Sequence, residues 1–224
     1  MRGEATRLAL IRAAIEVFGR EGYKAATTSE IARTADANQA LISYYYGGKE
    51  GLYRAVVEHI SRRIDARTEP MADRVDALLR EIDSGRVERS ARERRCLELL
   101  FAILDACAEF FLTDAESAAW ARIMLHEQRE PTEAFETLYV SERRLLDVIA
   151  QLVAAMRGVA RIAAQDRLVV LAILGEALVF RSARATAFRY LGWGESGAEH
   201  VAEIKQSLRR HAAALLGVGR AAEG

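Results

Sequence analysis

Residues 27–52 read TTSEIARTADANQALISYYYGGKEGL and carry the most informative pattern in the chain. Thr27 and Glu30 stand at the spacing of a capping box, in which each side chain bonds the backbone N–H of the other residue. This spacing predicts that a helix begins here, with Ile31 and Ala32 on its buried side.

A second short helix is predicted directly after the first. Residues 34–37 interrupt the helical pattern, and Asn38 is a suitable N-cap for a helix that runs to about Tyr45. Two helices separated by three or four residues match the helix-turn-helix arrangement, in which the second helix enters the major groove of DNA. The stretch therefore predicts a DNA-binding element.

The second helix carries side chains that suit the reading of base edges. Gln39, Ala40, Ser43 and Tyr44 fall on or near one arc, while Ile42 turns to the opposite side. A glutamine amide pairs with adenine through two hydrogen bonds, and an alanine methyl contacts the thymine methyl. We therefore predict that this arc faces the bases.

The end of the second helix suits the DNA backbone. Tyr45 and Lys49 carry a phenol and an ammonium that reach phosphates without reading sequence, and Gly47 and Gly48 allow the chain to turn sharply. The predicted DNA contacts are Thr28, Ser29, Asn38, Gln39, Ala40, Ser43, Tyr44, Tyr45 and Lys49.

Residues 8–53 resemble the N-terminal domain of the TetR family of bacterial transcriptional regulators. The matching segments are LALIRAAIEVFGREGY, TTSEIARTAD and NQALISYYYGGKEGLY. The last of these also resembles the CecR/CerR-type subgroup. Asp36 stands where the family often has glycine, a change that aspartate tolerates in a turn, and Ser43 replaces a common DNA-contacting tyrosine.

Composition predicts an all-α protein with ample core. The 224 residues are 51% hydrophobic and 29% charged, and they include only two prolines. The formal net charge is zero, and residues 1–60 hold eight basic against seven acidic side chains. This balance counts against DNA binding, which draws on local basic groups, but the motif outweighs it.

The sequence favours a reduced, cytoplasmic setting. Cys96 and Cys107 form neither a zinc motif nor a disulfide framework, and the N-terminus lacks the apolar core of a signal peptide. The most apolar run, Leu168–Phe180, is too short to span a bilayer and contains Glu176. We therefore expect no membrane association.

Helical patterns continue to the end of the chain. We predict a fourth helix from about 49 to 66, a separate helix over 71–82 beyond Pro70, and a helix that Thr113 caps. A single long helix is predicted over 164–190 and a final one over 198–216.

No motif indicates catalysis, a metal or a cofactor. Residues 192–197 match GxGxxG, but the preceding residues are helical, whereas a dinucleotide site follows a strand. His126 and Glu127 lack the second histidine of HExxH. We therefore predict that the protein is not an enzyme and binds neither metal nor cofactor.

Large apolar side chains in the middle of the chain have two interpretations. At helical spacing such residues usually form core; alternatively, some of them line an apolar cavity. The family resemblance implies that this part binds a small, largely apolar effector. The candidate pocket residues are Phe101, Leu104, Cys107, Phe111, Trp120 and Met124.

Two predicted helices in the C-terminal half carry apolar faces that must be buried. The helix over 164–190 is apolar nearly all round, so either the monomer or a second copy must bury it. The family resemblance implies a four-helix dimer interface. The candidate interface residues are Leu145, Ile149, Leu152, Met156, Leu171, Ala172, Gly175, Leu178 and Val179.

The sequence thus predicts an all-α homodimer with two domains. Residues 1–50 would form the three-helix DNA-binding domain, and residues 51–224 would bind effector and dimerise. The predicted function is a repressor that a small effector releases from a palindromic operator. The alternatives are a helical ligand-binding or interaction module without operator binding, and a helical enzyme.

Overall fold

The chain folds into α-helices joined by short connections in the computed structural model, which describes residues 2–159, 161–194 and 197–218. No strand occurs within these ranges. The helices are α1 (Arg2–Ala25), α2 (Thr28–Thr34), α3 (Ala40–Tyr46), α4 (Lys49–Asp83), α5 (Arg89–Thr113), α6 (Ala115–Arg129), α7 (Phe135–Met156), α8 (Ala164–Ser182), α9 (Arg184–Leu191) and α10 (Ala198–Leu215). The predicted all-α class is confirmed.

The chain divides into two compact units. One unit comprises Met1–Ala66 and Ala115–Glu142, and the other comprises Arg67–Asp114 and Arg143–Gly224. The helices α4 and α7 therefore each contribute to both units. The first unit contains all of α1, α2 and α3.

The first unit packs around the apolar side of α1. Leu10 and Phe18 are buried there, and the three short or partial helices that follow each add fully buried side chains. Gly19 allows α6 to approach closely, because a Cβ at Gly19 would lie 3.0 Å from the carbonyl oxygen of Ala119. The buried apolar residues of α2, α3 and the start of α4 are Ile31, Ala32, Ile42, Leu52, Tyr53, Val56, Val57 and Ile60.

The helix α5 supplies most of the core in the second unit. Its buried residues recur at helical spacing, so that one broad face is apolar. They are Cys96, Leu99, Leu100, Ile103, Leu104, Cys107, Ala108 and Leu112. The remaining core comes mainly from α7, α8 and α10.

Three predicted helix boundaries are wrong. The helix α4 continues through Pro70, although a proline removes a backbone hydrogen bond and crowds the preceding turn; the ring here lies at the exposed surface. Thr113 ends α5 instead of capping α6, since its hydroxyl donates to the Glu109 carbonyl oxygen at 2.7 Å. The predicted helix over 164–190 breaks at Ala183, where φ is −120° and ψ is 32°.

The glycine-rich segment 192–197 lies between two helices. Gly192 ends α9 in the left-handed conformation, with φ at 73°. Gly197 precedes α10, while residues 195 and 196 lie outside the described part of the chain. The flanking elements are helices, as the sequence predicts.

Candidate nucleic-acid interface

The helix α2 begins with half of the predicted capping box. The Thr27 hydroxyl accepts a hydrogen bond from the Glu30 backbone N–H at 3.2 Å. The Glu30 carboxylate does not return to Thr27; it accepts a hydrogen bond from the Arg20 guanidinium of α1. The reciprocal half of the prediction is wrong, because an arginine on a neighbouring helix competes successfully for the carboxylate. This ion pair fixes α2 against α1.

The turn between α2 and α3 depends on a left-handed residue. Asp36 has φ at 49°, the one positive value among the described non-glycine residues. The next N–H, that of Ala37, donates to the Ala32 carbonyl oxygen at 2.9 Å and so satisfies the end of α2. The sequence-based expectation that aspartate tolerates this turn is confirmed.

The helix α3 is anchored by one buried residue and capped by a side chain. Ile42 is fully buried, and Asn38 Oδ1 accepts a hydrogen bond from the Ala40 N–H at 2.8 Å. The assigned helix begins at Ala40, two residues later than predicted, but the capping role of Asn38 is confirmed. One side of α3 therefore points into the first unit.

The opposite side of α3 is open to solvent. Gln39, Ala40, Ser43 and Tyr44 are all exposed, and Tyr44 retains 79% of its surface. These are the residues for which the sequence predicts base contacts. Their exposure agrees with that role; their contacts with DNA remain predictions.

One side chain of the exposed arc has a fixed partner. Gln39 Nε2 donates to the Thr28 hydroxyl oxygen at 2.9 Å, which joins the start of α3 to the first turn of α2. Sequence analysis missed this contact, although both residues were candidates. The eleven-residue separation crosses the turn at Asp36, so no helical spacing indicates it.

The aromatic end of α3 packs against α1. The Arg7 guanidinium carbon lies 4.8 Å from the centre of the Tyr45 ring, and the Tyr46 hydroxyl donates to the Arg7 carbonyl oxygen at 2.9 Å. Burial raises the pKa of Tyr46, so the phenol stays protonated as a donor. These contacts tie the C-terminal end of α3 to α1.

Lys49 has an intramolecular partner besides its predicted phosphate. Its Nζ donates to the Lys24 carbonyl oxygen at 3.0 Å and lies 4.9 Å from the centre of the Tyr23 ring. The ammonium therefore satisfies a carbonyl near the end of α1, where a cation is favourable. The phosphate contact stays a prediction.

The turn into α4 brings two backbones together. Gly47 ends α3 with φ at 73°, and Gly48 has φ at 119°. A Cβ at Gly51 would lie 1.8 Å from the Tyr46 carbonyl oxygen. Because that neighbour is backbone, only glycine permits this approach of α4 to the end of α3.

A buried polar network supports the first unit behind this surface. Glu127 is 1% exposed, and its carboxylate accepts from the Tyr53 hydroxyl and from the Thr132 backbone N–H, the latter at 3.0 Å. Burial, followed by the bond to Glu127, raises the pKa of Tyr53. The network links α4 to the connection between α6 and α7.

The predicted pocket residues fall into both units. Phe101, Leu104, Cys107 and Phe111 lie on α5 in the second unit, whereas Trp120 and Met124 lie on α6 in the first. Leu104, Cys107 and Trp120 are buried. Burial raises the pKa of the Cys107 thiol to about 12.

A separate cleft of about 290 Å³ lies between α4 and α5. Its lining contains two arginines and two glutamates, and it includes none of the predicted pocket residues. Those four side chains are Arg74, Glu81, Arg95 and Glu98, with Ala77, Leu78 and Leu99 completing the wall.

The predicted interface residues divide by helix. Ile149 and Leu152 of α7 are fully buried in the core of their own unit. The α8 residues are exposed, with Leu171 at 56% and a Cβ at Gly175 meeting nothing within 4 Å. The exposed apolar face of α8 consists of Leu168, Leu171, Ala172, Gly175, Leu178 and Val179.

The described ranges contain neither a cluster of metal ligands nor a membrane-spanning helix. Within the described ranges, no group of three or more histidine, cysteine or acidic side chains is arranged to hold a metal ion. In the same ranges, no helix has the length and apolarity required to cross a membrane.

The fold and the exposed α3 surface define a helix-turn-helix DNA-binding protein. The family model described as "Bacterial regulatory proteins, tetR family" matches residues 10–56. The model described as "HTH-type transcriptional dual regulator CecR, C-terminal domain" matches residues 96–218. The chain belongs to the TetR family of transcriptional regulators, as the sequence indicates.

Curated relatives agree with this assignment. The HTH-type transcriptional dual regulator CecR of Shigella flexneri is 31% identical over 217 residues, which cover 94% of this chain and 91% of that protein. The HTH-type transcriptional repressor NicS of Pseudomonas putida is 37% identical over 59 residues, which cover 26% of this chain and 28% of NicS.

Solved structures with low sequence identity share the fold. GusR of Salmonella enterica has a TM-score of 0.58 at 16% identity and covers 95% of each chain. FadR of Bacillus subtilis, in complex with stearoyl-CoA, has a TM-score of 0.56 at 15% identity and covers 92% of this chain and 96% of its own. At these identities the likeness establishes the fold alone.

Proposed function

We propose that this regulator is a homodimeric repressor whose α3 helices bind a palindromic operator. A small, largely apolar effector binds the repressor and releases it from the operator. Residues 1–50 act as the DNA-binding domain, and residues 51–224 bind effector and form the dimer. The observation that carries the proposal is the polar, exposed arc of α3 opposite the buried Ile42.

DNA recognition divides between bases and phosphates. Gln39, Ala40, Ser43 and Tyr44 read base edges, because their side chains are exposed on the face of α3 that enters the major groove. Thr28, Ser29, Asn38, Tyr45 and Lys49 set the orientation through the sugar-phosphate backbone.

The exposed face of α8 supports dimerisation. Several large apolar side chains on one helix are unusual on a monomer surface, and they indicate an interface. A two-fold dimer places two α3 helices about one DNA turn apart, roughly 34 Å or somewhat more, and this geometry requires an inverted repeat.

Release follows from unequal affinity for two states of the dimer. An effector that binds the state with unsuitable α3 spacing weakens the binding of DNA. By linkage, bound DNA weakens the binding of the effector by the same free energy. The apolar side chains of α5 favour an apolar effector, and the stearoyl-CoA in the FadR complex has an apolar chain.

Selection from a randomised duplex pool tests the operator half of the proposal. We expect enrichment of an inverted repeat whose half-sites lie about one helical turn apart. Recovery of unrelated sequences, with no gain in affinity over the starting pool, would favour the module without operator binding.

The effector half has a separate test. The fluorescent probe anilinonaphthalene sulfonate, which joins an apolar ring system to one sulfonate, should bind the protein and lower its affinity for the selected duplex. Probe binding that leaves DNA affinity unchanged contradicts release by an apolar effector, while the operator half stands.

A further inference from the structure

The hydrogen bond between Thr28 and Gln39 connects two parts of the DNA-binding surface that otherwise act separately. Gln39 lies immediately before α3, and Thr28 opens α2. The Gln39 amide nitrogen donates to the Thr28 hydroxyl oxygen at 2.9 Å. We propose that Thr28 is a positioning residue that selects the base read by Gln39, an inference that rests on the proposed function.

The chemistry of the amide explains the effect. A glutamine side chain offers two N–H donors on nitrogen and one acceptor oxygen. Thr28 takes one donor, so that one N–H and the oxygen remain for a base edge. Adenine presents N7 as an acceptor and its amino group as a donor, which matches this remaining pair.

An unsupported amide would recognise DNA less selectively. If the amide rotates, its nitrogen and oxygen exchange places and a different donor–acceptor pattern meets the groove. In the structure the Thr28 hydroxyl accepts from the amide nitrogen, and this bond holds the Gln39 side chain in place before DNA arrives, which lowers the entropy lost on binding. Withdrawal from water in the groove strengthens the same bond.

The backbone on both sides of the Thr28–Gln39 bond is supported by other contacts. Thr27 caps the first turn of α2 through the Glu30 N–H, and Glu30 is paired with Arg20 of α1. On the other side, Asn38 caps the start of α3 through the Ala40 N–H. Both ends of the Thr28–Gln39 bond therefore stand on fixed backbone.

The test compares base preferences, not affinity alone. The probes are the duplex selected by the unsubstituted protein and its single-base variants. Thr28→Val removes the hydroxyl but keeps the branched shape, and we expect it to reduce preference at one base pair of each half-site by roughly two- to tenfold. Thr28→Ser restores the hydroxyl and should restore the preference.

A double-substitution cycle separates positioning from a phosphate contact. In a Gln39→Ala background, Thr28→Val should leave the remaining base preferences unchanged. Ser29→Ala is the matched control, because it removes the adjacent exposed hydroxyl, which has no bond to Gln39. It should lower affinity for all duplexes equally and leave the base preferences unchanged.

Three results would overturn the inference or its basis. An unchanged preference profile in Thr28→Val with uniform loss of affinity would assign Thr28 to phosphate binding only. If Thr28→Val changes the base preferences equally in the unsubstituted protein and in the Gln39→Ala background, Thr28 does not act through Gln39. If the unsubstituted protein prefers no sequence, the proposed function fails first. Thermal unfolding of Thr28→Val and Thr28→Ser confirms that the variants are folded.

Discussion

Single residues at the DNA-binding surface show how far local sequence rules extend. The capping role of Asn38 and the left-handed turn at Asp36 were predictable, because both depend on the residue and its immediate neighbours. The partners of Glu30, Gln39 and Lys49 were not, because each lies on another helix or across the turn. Long-range side-chain pairing leaves no periodic signal in the sequence.

Asp36 offers a direct test of backbone strain. We expect Asp36→Gly to raise the free energy of unfolding by up to about 1 kcal/mol, because glycine adopts positive φ freely. Asp36→Val should lower it by roughly 1–2 kcal/mol, because a branched side chain is strained at this φ. Urea denaturation measures both, and equal stability of the two variants would contradict the account.

The buried Tyr53 hydroxyl predicts a response to alkaline pH. Burial and the bond to Glu127 raise its pKa above the ordinary value of 10.0, so the folded state keeps the proton that the unfolded state loses. The stabilisation is therefore fully present below about pH 10 and declines as pH rises beyond it.

Thermal unfolding between pH 8 and pH 11 checks this sign. We expect Tyr53→Phe to be less stable at pH 8 by about 1–3 kcal/mol, because Glu127 loses a donor while remaining buried. The deficit should shrink above about pH 10, where the unsubstituted protein loses its advantage. A deficit that grows with pH would exclude the proposed linkage.

At the scale of helices, periodicity predicted the number and type of elements better than their limits. The extent of α10 follows the sequence pattern closely. The division of α8 from α9 at Ala183 carries no glycine or proline signal, so it was missed. Pro70 produced the opposite error: the sequence predicts a break there, but α4 continues across the proline.

Pro70→Ala should stabilise the protein. Alanine supplies the N–H that the Ala66 carbonyl lacks and removes a ring clash with the preceding turn. After allowance for the greater freedom of the unfolded chain, we expect a gain of about 1–2 kcal/mol and a Tm increase of roughly 3–6 °C.

Scanning calorimetry at fixed protein concentration measures the change in Tm. Asp73→Ala is the control, because it also introduces alanine at an exposed position of α4 and should stay within about 0.5 kcal/mol. A lower Tm for Pro70→Ala would show that proline fits this helix without strain.

At the scale of the whole molecule, the composition predicted the all-α class and the helix-turn-helix motif indicated the TetR family. The near-neutral charge of residues 1–60 obscured the function, because a net total does not reveal which side chains share a surface. The sequence could not separate exposed from buried apolar residues, since Ile149 and Leu171 are equally apolar. Only the fold distinguishes the buried residue from the exposed one.

Dimer formation through α8 predicts a specific effect of charge. Leu171→Lys should shift the protein from dimer to monomer, because it places an ammonium on the exposed apolar face. Ala77→Lys, at an exposed position of α4, should leave the protein dimeric. Sedimentation velocity at micromolar concentration distinguishes the two. Dimeric Leu171→Lys would place the interface elsewhere.

The central claim is that the exposed arc of α3 reads DNA, and two exposed tyrosines provide its most direct test. Tyr44 retains 79% of its surface on α3, and Tyr190 retains 89% on α9. Fluorescence anisotropy with the selected duplex, at two salt concentrations, compares Tyr44→Ala with Tyr190→Ala.

We predict that Tyr44→Ala loses roughly five- to hundredfold in affinity for the selected duplex, while affinity for random duplex and the salt dependence stay nearly constant. Tyr190→Ala should bind like the unsubstituted protein. Full operator affinity in Tyr44→Ala, or an equal loss in both variants, would contradict recognition by this surface of α3.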